Sequence, residues 1–111
     1  MALFNILLLD KPGLEVQNSK GEWHQVLPRK GAFVIILGEL TQIWTNKLYR
    51  AGIHRVRNTE AKETRLSVPF FFYPHLLTPV KSIAAANESM KPNASPLLVG
   101  EMLWKRLNVV H

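Results

Sequence analysis

The sequence contains no cysteine, no long apolar run, and only 8 acidic residues among 111. Without cysteine there is no disulfide, no thiolate metal site and no cysteine nucleophile. Every apolar run is far shorter than the roughly 18 residues that a membrane-spanning helix needs, so we expect no membrane association. The apolar N-terminal stretch lacks a basic leader and a small-residue cleavage site. We therefore expect a cytoplasmic protein without a signal peptide.

The shortage of acidic residues leaves a formal net charge of +6, from 14 Lys and Arg against 8 Asp and Glu. The basic residues are scattered along the chain, and aromatic residues are not interleaved with them. A nucleic-acid surface needs a concentrated basic stripe, so we expect a solvated surface and no nucleic-acid binding. With 47% hydrophobic and 20% charged residues, the composition is that of an ordinary globular chain, and its length suits one domain.

The apolar and alternating segments predict a mainly β protein with a C-terminal helix. A short helix is predicted over residues 39–45, and surface loops over residues 58–63 and 82–96. Ser95 can cap a closing helix that begins at Pro96 and runs to about residue 109. Many short strands with turns between them favour a sandwich or barrel. The predicted strands are residues 2–9, 14–17, 22–26, 32–37, 49–58 and 64–73.

Three polar residues stand out on the last two predicted strands. His54 can offer a neutral imidazole nitrogen to a metal ion. Arg65 carries a planar fork that matches a carboxylate, and Ser67 adds a hydroxyl two residues later on the same strand face. Each residue also has an ordinary structural explanation, since a lone strand histidine is usually just hydrogen-bonded and Arg-x-Ser pairs are common. The residue types alone therefore leave the metal and anion interpretations open.

A series of short motifs runs along the chain in one order. The motifs are Leu14-Glu15-Val16, Gly21-Glu22-Trp23, Gly31-Ala32-Phe33-Val34, Leu37-Gly38-Glu39-Leu40, Trp44-Thr45-Asn46, Tyr49-Arg50, His54-Arg55-Val56, Arg65-Leu66-Ser67-Val68-Pro69-Phe70-Phe71-Phe72 and Gly100-Glu101 with Leu103 and Leu107. Their order resembles one family, the isopenicillin N synthase-like Fe(II)/2-oxoglutarate-dependent dioxygenases. The similarity covers nearly the whole chain. Lys47 and Ala51 depart from the residues usual at their positions in that family, which are Gly and Ser.

The resemblance implies a double-stranded β-helix, or jelly-roll, and an oxidoreductase that uses iron and 2-oxoglutarate. In this family two His and one carboxylate hold Fe(II) and leave positions open for 2-oxoglutarate and oxygen. By match, His54 is the distal His ligand, and Arg65 and Ser67 bind the far carboxylate of 2-oxoglutarate. Phe70 and Phe71 match the apolar wall beside the pocket. The substrate implied for the complete enzyme is a small organic molecule whose identity the sequence leaves open.

The chain contains no His-x-Asp motif to supply the other two iron ligands. In the family that motif comes just before the strand that resembles residues 2–9. Asp10 is expected at the far end of that strand, away from the metal, and His24 and His75 are expected to be surface or structural residues. We therefore predict that residues 1–111 form the C-terminal portion of the dioxygenase domain, with an incomplete metal triad, negligible iron affinity and no catalytic residue of its own. Whether this chain is itself an enzyme stays open, and we expect it to be inactive in isolation.

The same resemblance predicts six strands in two three-stranded sheets. The strand with His54 and the strand with Arg65 and Ser67 are then sheet edges, and exposed apolar edges such as Phe70-Phe71-Phe72 invite self-association. Three origins fit such a chain, namely a fragment of a longer gene product, a domain that oligomerises, or a degenerate relative. The alternative function is a non-catalytic β-domain that binds a dicarboxylate or a protein partner.

Overall fold

The computed structural model describes residues 2–57, 63–83 and 97–108. Six strands and two helices make up the described part. The order is β1 (Phe4–Leu9), β2 (Leu14–Gln17), β3 (Trp23–Gln25), β4 (Val34–Leu37), α1 (Glu39–Trp44), β5 (His54–Val56), β6 (Ser67–Phe72) and α2 (Val99–Asn108).

The strands form two antiparallel three-stranded sheets. Sheet A has the order β4-β1-β6, and sheet B has the order β3-β2-β5. Within the described residues, β5 and β6 are therefore edge strands, as the sequence predicts. The mainly β fold with a C-terminal helix is confirmed.

Strand alternation gives each sheet an inner and an outer face. On sheet A, Asn5 lies opposite both Ile36 and Phe71. Ile36 is only 5% exposed and contacts Gly52, which leads into sheet B, so this face is the inner one. On sheet B the inner face carries Leu14, which is 1% exposed. The other buried apolar residues, Ala2, Leu40 and Val99, lie before β1 and in the two helices, so the core extends from the inner faces of the sheets to the helices.

The outer face of sheet A is less covered. Phe4 and Phe72 stack there with ring centroids 4.8 Å apart and rings nearly parallel, at 7°. Their neighbours Ile35 and Phe70 are 63% and 60% exposed. A substantial apolar surface of this sheet therefore faces solvent in the described part of the chain.

The two helices lie next to each other, and α1 also contacts the segment before β1. The amide of Gly38, just before α1, donates to the carbonyl of Leu3, and Leu40 of α1 is 1% exposed. Glu101 in the first turn of α2 accepts a hydrogen bond from the amide of Leu98, and Arg106 of α2 pairs with Glu39 of α1. Neither helix among the described residues has the length and apolarity to cross a lipid bilayer.

Five of the six predicted strands are longer than the observed ones, three of them by only two residues and two by more. The strand predicted over residues 49–58 is only β5, and the strand predicted over 64–73 is β6, which begins at Ser67. Ahead of β5, the amide of Ala51 donates to the side chain of Gln42 instead of to a neighbouring strand. The predicted helix start at Ser95 and Pro96 lies outside the described residues, as does most of each predicted loop.

Candidate functional site

His54 opens β5 on the inner face of sheet B. It lies opposite Val16, two pairs along the ladder from the pair of Val56 and Leu14. Its ring nitrogen Nδ1 lies 2.7 Å from the carbonyl oxygen of Gly52. A carbonyl oxygen only accepts, so Nδ1 carries a hydrogen, and in the neutral imidazole the lone pair is then on Nε2. This is the tautomer of a histidine prepared to coordinate a metal through Nε2.

Arg65 lies two residues before β6 and reaches from sheet A to the start of sheet B. A methyl group on Gly13 would lie 3.0 Å from Cδ and 3.1 Å from Nε of Arg65, and 3.1 Å from the carbonyl oxygen of Arg57. The guanidinium stem therefore lies directly over the Gly13 backbone. Gly13 has φ of +142°, a conformation that side chains rarely adopt.

The Nε atom of Arg65 is buried and has no hydrogen-bond partner among the described residues. A buried donor without a partner is costly, by about 1–3 kcal/mol, so it calls for an explanation. Arg65 also forms no ion pair with any described carboxylate, in contrast to Lys11, Arg55, Arg57 and Arg106. A guanidinium without an ion pair among the described residues can bind an anion from solution.

Ser67 begins β6 opposite Leu9. By alternation along the strand, Pro69 and Phe71 share its face, which is the inner face. Phe71 lies opposite Asn5 and provides an apolar neighbour to the interior. Phe70 lies opposite Ile6 on the outer face, so the expectation that Phe70 also lines the pocket wall is wrong. Two adjacent residues of one strand cannot face the same interior.

The three predicted residues lie on both sheets. Arg65 contacts Gly13, whose carbonyl accepts a hydrogen bond from the amide of Arg57. Since His54 precedes Arg57 by three residues, it lies roughly 10 Å further along sheet B. Arg65 therefore lies near one end of the strand pair that carries His54.

Arg65 and Ser67 together are named the carboxylate clamp, and three acids on the segments around the clamp and Gly13 are bound to other groups. Glu63 is 3.8 Å from Lys11, and Glu15 is 2.7 Å from Nε of Arg55. The carboxylate of Asp10 accepts a hydrogen bond from the amide that lies between the two clamp residues. Among the described residues, these acids therefore leave the clamp guanidinium free to attract an anion from solution.

The described residues suit the carboxylate of 2-oxoglutarate better than they suit Fe(II). The uncommitted Arg65 and the hydroxyl of Ser67 suit a carboxylate. No group of three or more metal-ligating side chains occurs among residues 2–57, 63–83 and 97–108. His54 is therefore a single candidate ligand, and these residues do not complete an iron site.

The structure adds three details near the site that the sequence did not indicate. His24 lies on the inner face across Val16 from His54. It is exposed, and its Nε2 lies 3.0 Å from the Nδ2 of Asn18, in agreement with the expectation of a surface or structural residue. Asp10 and Gly13 contact the clamp from the turn after β1. A strand-ending Asp-Lys-Pro-Gly turn was the available signal, but it predicts only a turn.

Comparison with known proteins finds relatives that align with most of this chain. Residues 2–74 match the model of the 2OG-Fe(II) oxygenase superfamily. The 2-oxoglutarate-Fe(II) type oxidoreductase hxnY of Emericella nidulans is 36% identical over 103 residues, which cover 88% of this chain and 29% of that protein. Scopoletin 8-hydroxylase of Arabidopsis thaliana is 41% identical over 76 residues, which cover 68% of this chain and 21% of that protein.

Solved structures resemble the fold over nearly the whole chain. The crystal structure of a full-length Neurospora crassa protein in complex with alpha-KG superposes with a TM-score of 0.83, at 21% identity, over 99% of this chain and 35% of that one. A 2OG-Fe(II) oxygenase family protein from Caulobacter crescentus gives a TM-score of 0.79 at 25% identity, over 98% of this chain and 38% of that one. The chain thus spans well under half the length of the proteins that it resembles.

Proposed function

The chain belongs to the 2OG-Fe(II) oxygenase superfamily, and we propose that residues 1–111 form the C-terminal portion of such an oxygenase domain. In the complete enzyme this portion would help to oxidise a small organic substrate. As an isolated chain it would bind the dicarboxylate co-substrate without catalysing the reaction. The observation that carries this proposal is the buried, unpartnered Nε of Arg65.

Arg65 and Ser67 would together hold the far carboxylate of 2-oxoglutarate. The guanidinium would form charge-assisted hydrogen bonds with that carboxylate, and the Ser67 hydroxyl would donate one more. An anion at this place would pair with a guanidinium that forms no ion pair with a described carboxylate. The stacking of the Arg65 stem on Gly13 would hold the guanidinium in one orientation.

His54 would supply one of three iron ligands, through Nε2. Bound iron would supply the oxidative chemistry of the family. The two remaining ligands would have to come from residues outside the described ranges or from another chain, because one imidazole does not hold ferrous iron against water. Phe71 and Ile36 would give the substrate side of the site its apolar surface, which small organic substrates prefer.

A thermal-shift experiment tests the clamp without iron. We expect millimolar 2-oxoglutarate to raise the melting temperature of the chain, because it binds only the folded state. The matched ligand 2-oxopentanoate lacks the far carboxylate and should give no rise. Arg65→Lys keeps the charge but loses the planar fork, and should remove most of the rise. A flat response of the wild type to 2-oxoglutarate would overturn the proposal.

A second candidate function is association through the sheet edges. Its support is that β6 is an edge strand among the described residues, with Phe70, Phe71 and Phe72 between 40% and 60% exposed. An unprotected apolar edge is a template for pairing with another strand. We therefore propose that the chain self-associates through β6 or β5, and sedimentation velocity over a concentration series tests this.

Two further expectations from the sequence remain proposals. The cytoplasmic location is tested by fractionation of cells that express the chain. The lack of nucleic-acid binding is tested by titration with a random oligonucleotide at low and high salt, where salt-dependent binding would contradict it.

A further inference from the structure

The turn between β1 and β2, residues 10–13, contacts the Arg65–Ser67 segment at several points. The carboxylate Oδ1 of Asp10 accepts a hydrogen bond from the amide of Leu66 at 2.9 Å, and the amide of Asp10 donates to the carbonyl of Leu66 at 3.3 Å. Both backbone groups of Leu66 are thus bound to one residue. Leu66 is the middle residue between Arg65 and Ser67.

Side-chain packing does not anchor this segment. The side chain of Leu66 is 64% exposed, and β6 itself begins only at Ser67. Ahead of it, Lys11 donates to the carbonyl oxygen of Thr64 at 3.0 Å. The backbone on both sides of Arg65 is therefore held by hydrogen bonds with Asp10 and Lys11.

Gly13, in the same turn, contacts the side chain of Arg65. With a Cβ at position 13, Cδ and Nε of Arg65 would be 3.0 and 3.1 Å away, closer than nine in ten real contacts of a Cβ. The absent side chain is what lets the Arg65 stem cross to sheet B. The positive φ of Gly13 adds backbone strain to any substitution there.

We infer that the β1–β2 turn positions the carboxylate clamp, with Asp10 and Gly13 as its positioning residues. Asp10 fixes the backbone from which Arg65 and Ser67 project, and Gly13 provides the surface on which the guanidinium stem lies. The inference rests on the proposed 2-oxoglutarate site, since it assigns the groups that hold that site in shape. Neither residue is expected to touch 2-oxoglutarate.

Two matched pairs of variants separate positioning from general damage. Gly13→Ala is compared with Gly31→Ala, because Gly31 also has a positive φ, of +75°, but a Cβ there would meet nothing within 4 Å. Asp10→Ala removes the acceptor for the Leu66 amide, whereas Asp10→Asn keeps an oxygen acceptor at the same place. Melting temperatures of all four variants confirm that each is folded.

The readout is ¹H–¹⁵N NMR of the full chain, which follows the Arg65 Nε–H and the Leu66 and Ser67 amides during titration with 2-oxoglutarate. We expect Asp10→Ala and Gly13→Ala to weaken binding about fivefold or more, the effect of losing one hydrogen bond. Gly31→Ala and Asp10→Asn should stay within about twofold of the wild type. In the free protein, only Asp10→Ala and Gly13→Ala should shift the Arg65 Nε–H signal.

The outcomes are distinct. Equal affinities and equal Arg65 signals for Gly13→Ala and Gly31→Ala would overturn the positioning role of Gly13, and a wild-type profile for Asp10→Ala would overturn that of Asp10. If the wild type shows no saturable shift with 2-oxoglutarate, the proposed site fails. The free-protein Arg65 signal still decides whether the turn orients that side chain.

Discussion

The Nδ1 nitrogen of His54 lies 2.7 Å from the carbonyl oxygen of Gly52, only two residues earlier in the chain. This contact turns the imidazole so that Nε2 is the nitrogen free to bind a metal. It also uses a backbone carbonyl instead of a carboxylate, so the ligand is oriented by the local chain. The residue that orients His54 thus lies in the segment directly before β5.

One imidazole is a weak site for ferrous iron, however well it is oriented. We expect anaerobic Fe(II) at about millimolar concentration to leave the melting temperature of the chain unchanged, and His54→Ala to behave identically. Differential scanning fluorimetry measures both. A rise of several degrees in the wild type that is lost in His54→Ala would mean that this chain has further ligands.

The outer face of sheet B contains a stacked cation. The guanidinium carbon of Arg55 lies 3.9 Å from the ring centroid of Trp23, and its Nε lies 2.7 Å from the carboxylate of Glu15. We expect Arg55→Ala to lower the free energy of unfolding by about 1–2 kcal/mol, from the loss of one cation–π contact and one ion pair. Urea denaturation measures this change.

The control for that stack is Arg50→Ala. Arg50 is exposed and forms no ion pair with a described residue, so its removal should change the free energy of unfolding by less than about 0.5 kcal/mol. Equal losses in the two variants would mean that net charge, and not the stack, stabilises sheet B.

Asn18 organises the turn between β2 and β3. Its Oδ1 accepts hydrogen bonds from the amides of Lys20 and Glu22, each at 2.9 Å. These two donors fix the orientation of the amide, so Nδ2 donates to Nε2 of His24. We expect Asn18→Ala to destabilise the fold by about 1–2 kcal/mol, with Asn18→Asp intermediate because it keeps the two backbone bonds.

Chemical denaturation of the three proteins checks this order of stabilities. If Asn18→Asp proves as unstable as Asn18→Ala, the bond to His24 stabilises the turn more than the two backbone bonds do.

The exposed apolar residues of β6 are the surface through which we expect the chain to self-associate. Phe70 is 60% exposed and faces outward beside Ile6. We expect Phe70→Lys to reduce any concentration-dependent association, because a charge on an edge strand opposes strand pairing. Sedimentation velocity measures it. Leu48→Lys, at a residue 76% exposed and outside the strands, is the matched control and should leave association as it was.

Much of the fold follows from local sequence pattern. The two sheets, the short helix after β4 and the closing helix all lie where apolar periodicity and the family resemblance predict them. The two largest errors in strand length share one physical feature. Where the predicted strands extend too far, side chains of Gln42, Asp10 and Lys11 bind the backbone groups of Ala51, Leu66 and Thr64. Such partners are distant in sequence, so strand propensity cannot indicate them.

The residues of the candidate site could be predicted from the sequence. The residues that contact and position them could not. His54, Arg65 and Ser67 carry the family motifs and are visible in the sequence. That Gly13 lies under Arg65 depends on how the two sheets face each other, which no local pattern encodes. The alternation of β6 also decides between Phe70 and Phe71, and it depends on the register with β1.

The most direct measurement of the central claim is the dissociation constant of 2-oxoglutarate for the wild type, Arg65→Lys and Ser67→Ala, by isothermal titration calorimetry without metal. The account predicts that Arg65→Lys weakens binding about tenfold or more and Ser67→Ala about threefold to tenfold, because each loses hydrogen bonds to the same carboxylate. It also predicts that 2-oxopentanoate binds all three proteins equally weakly. Wild-type affinity for 2-oxoglutarate in Arg65→Lys would contradict the claim that Arg65 is the carboxylate clamp.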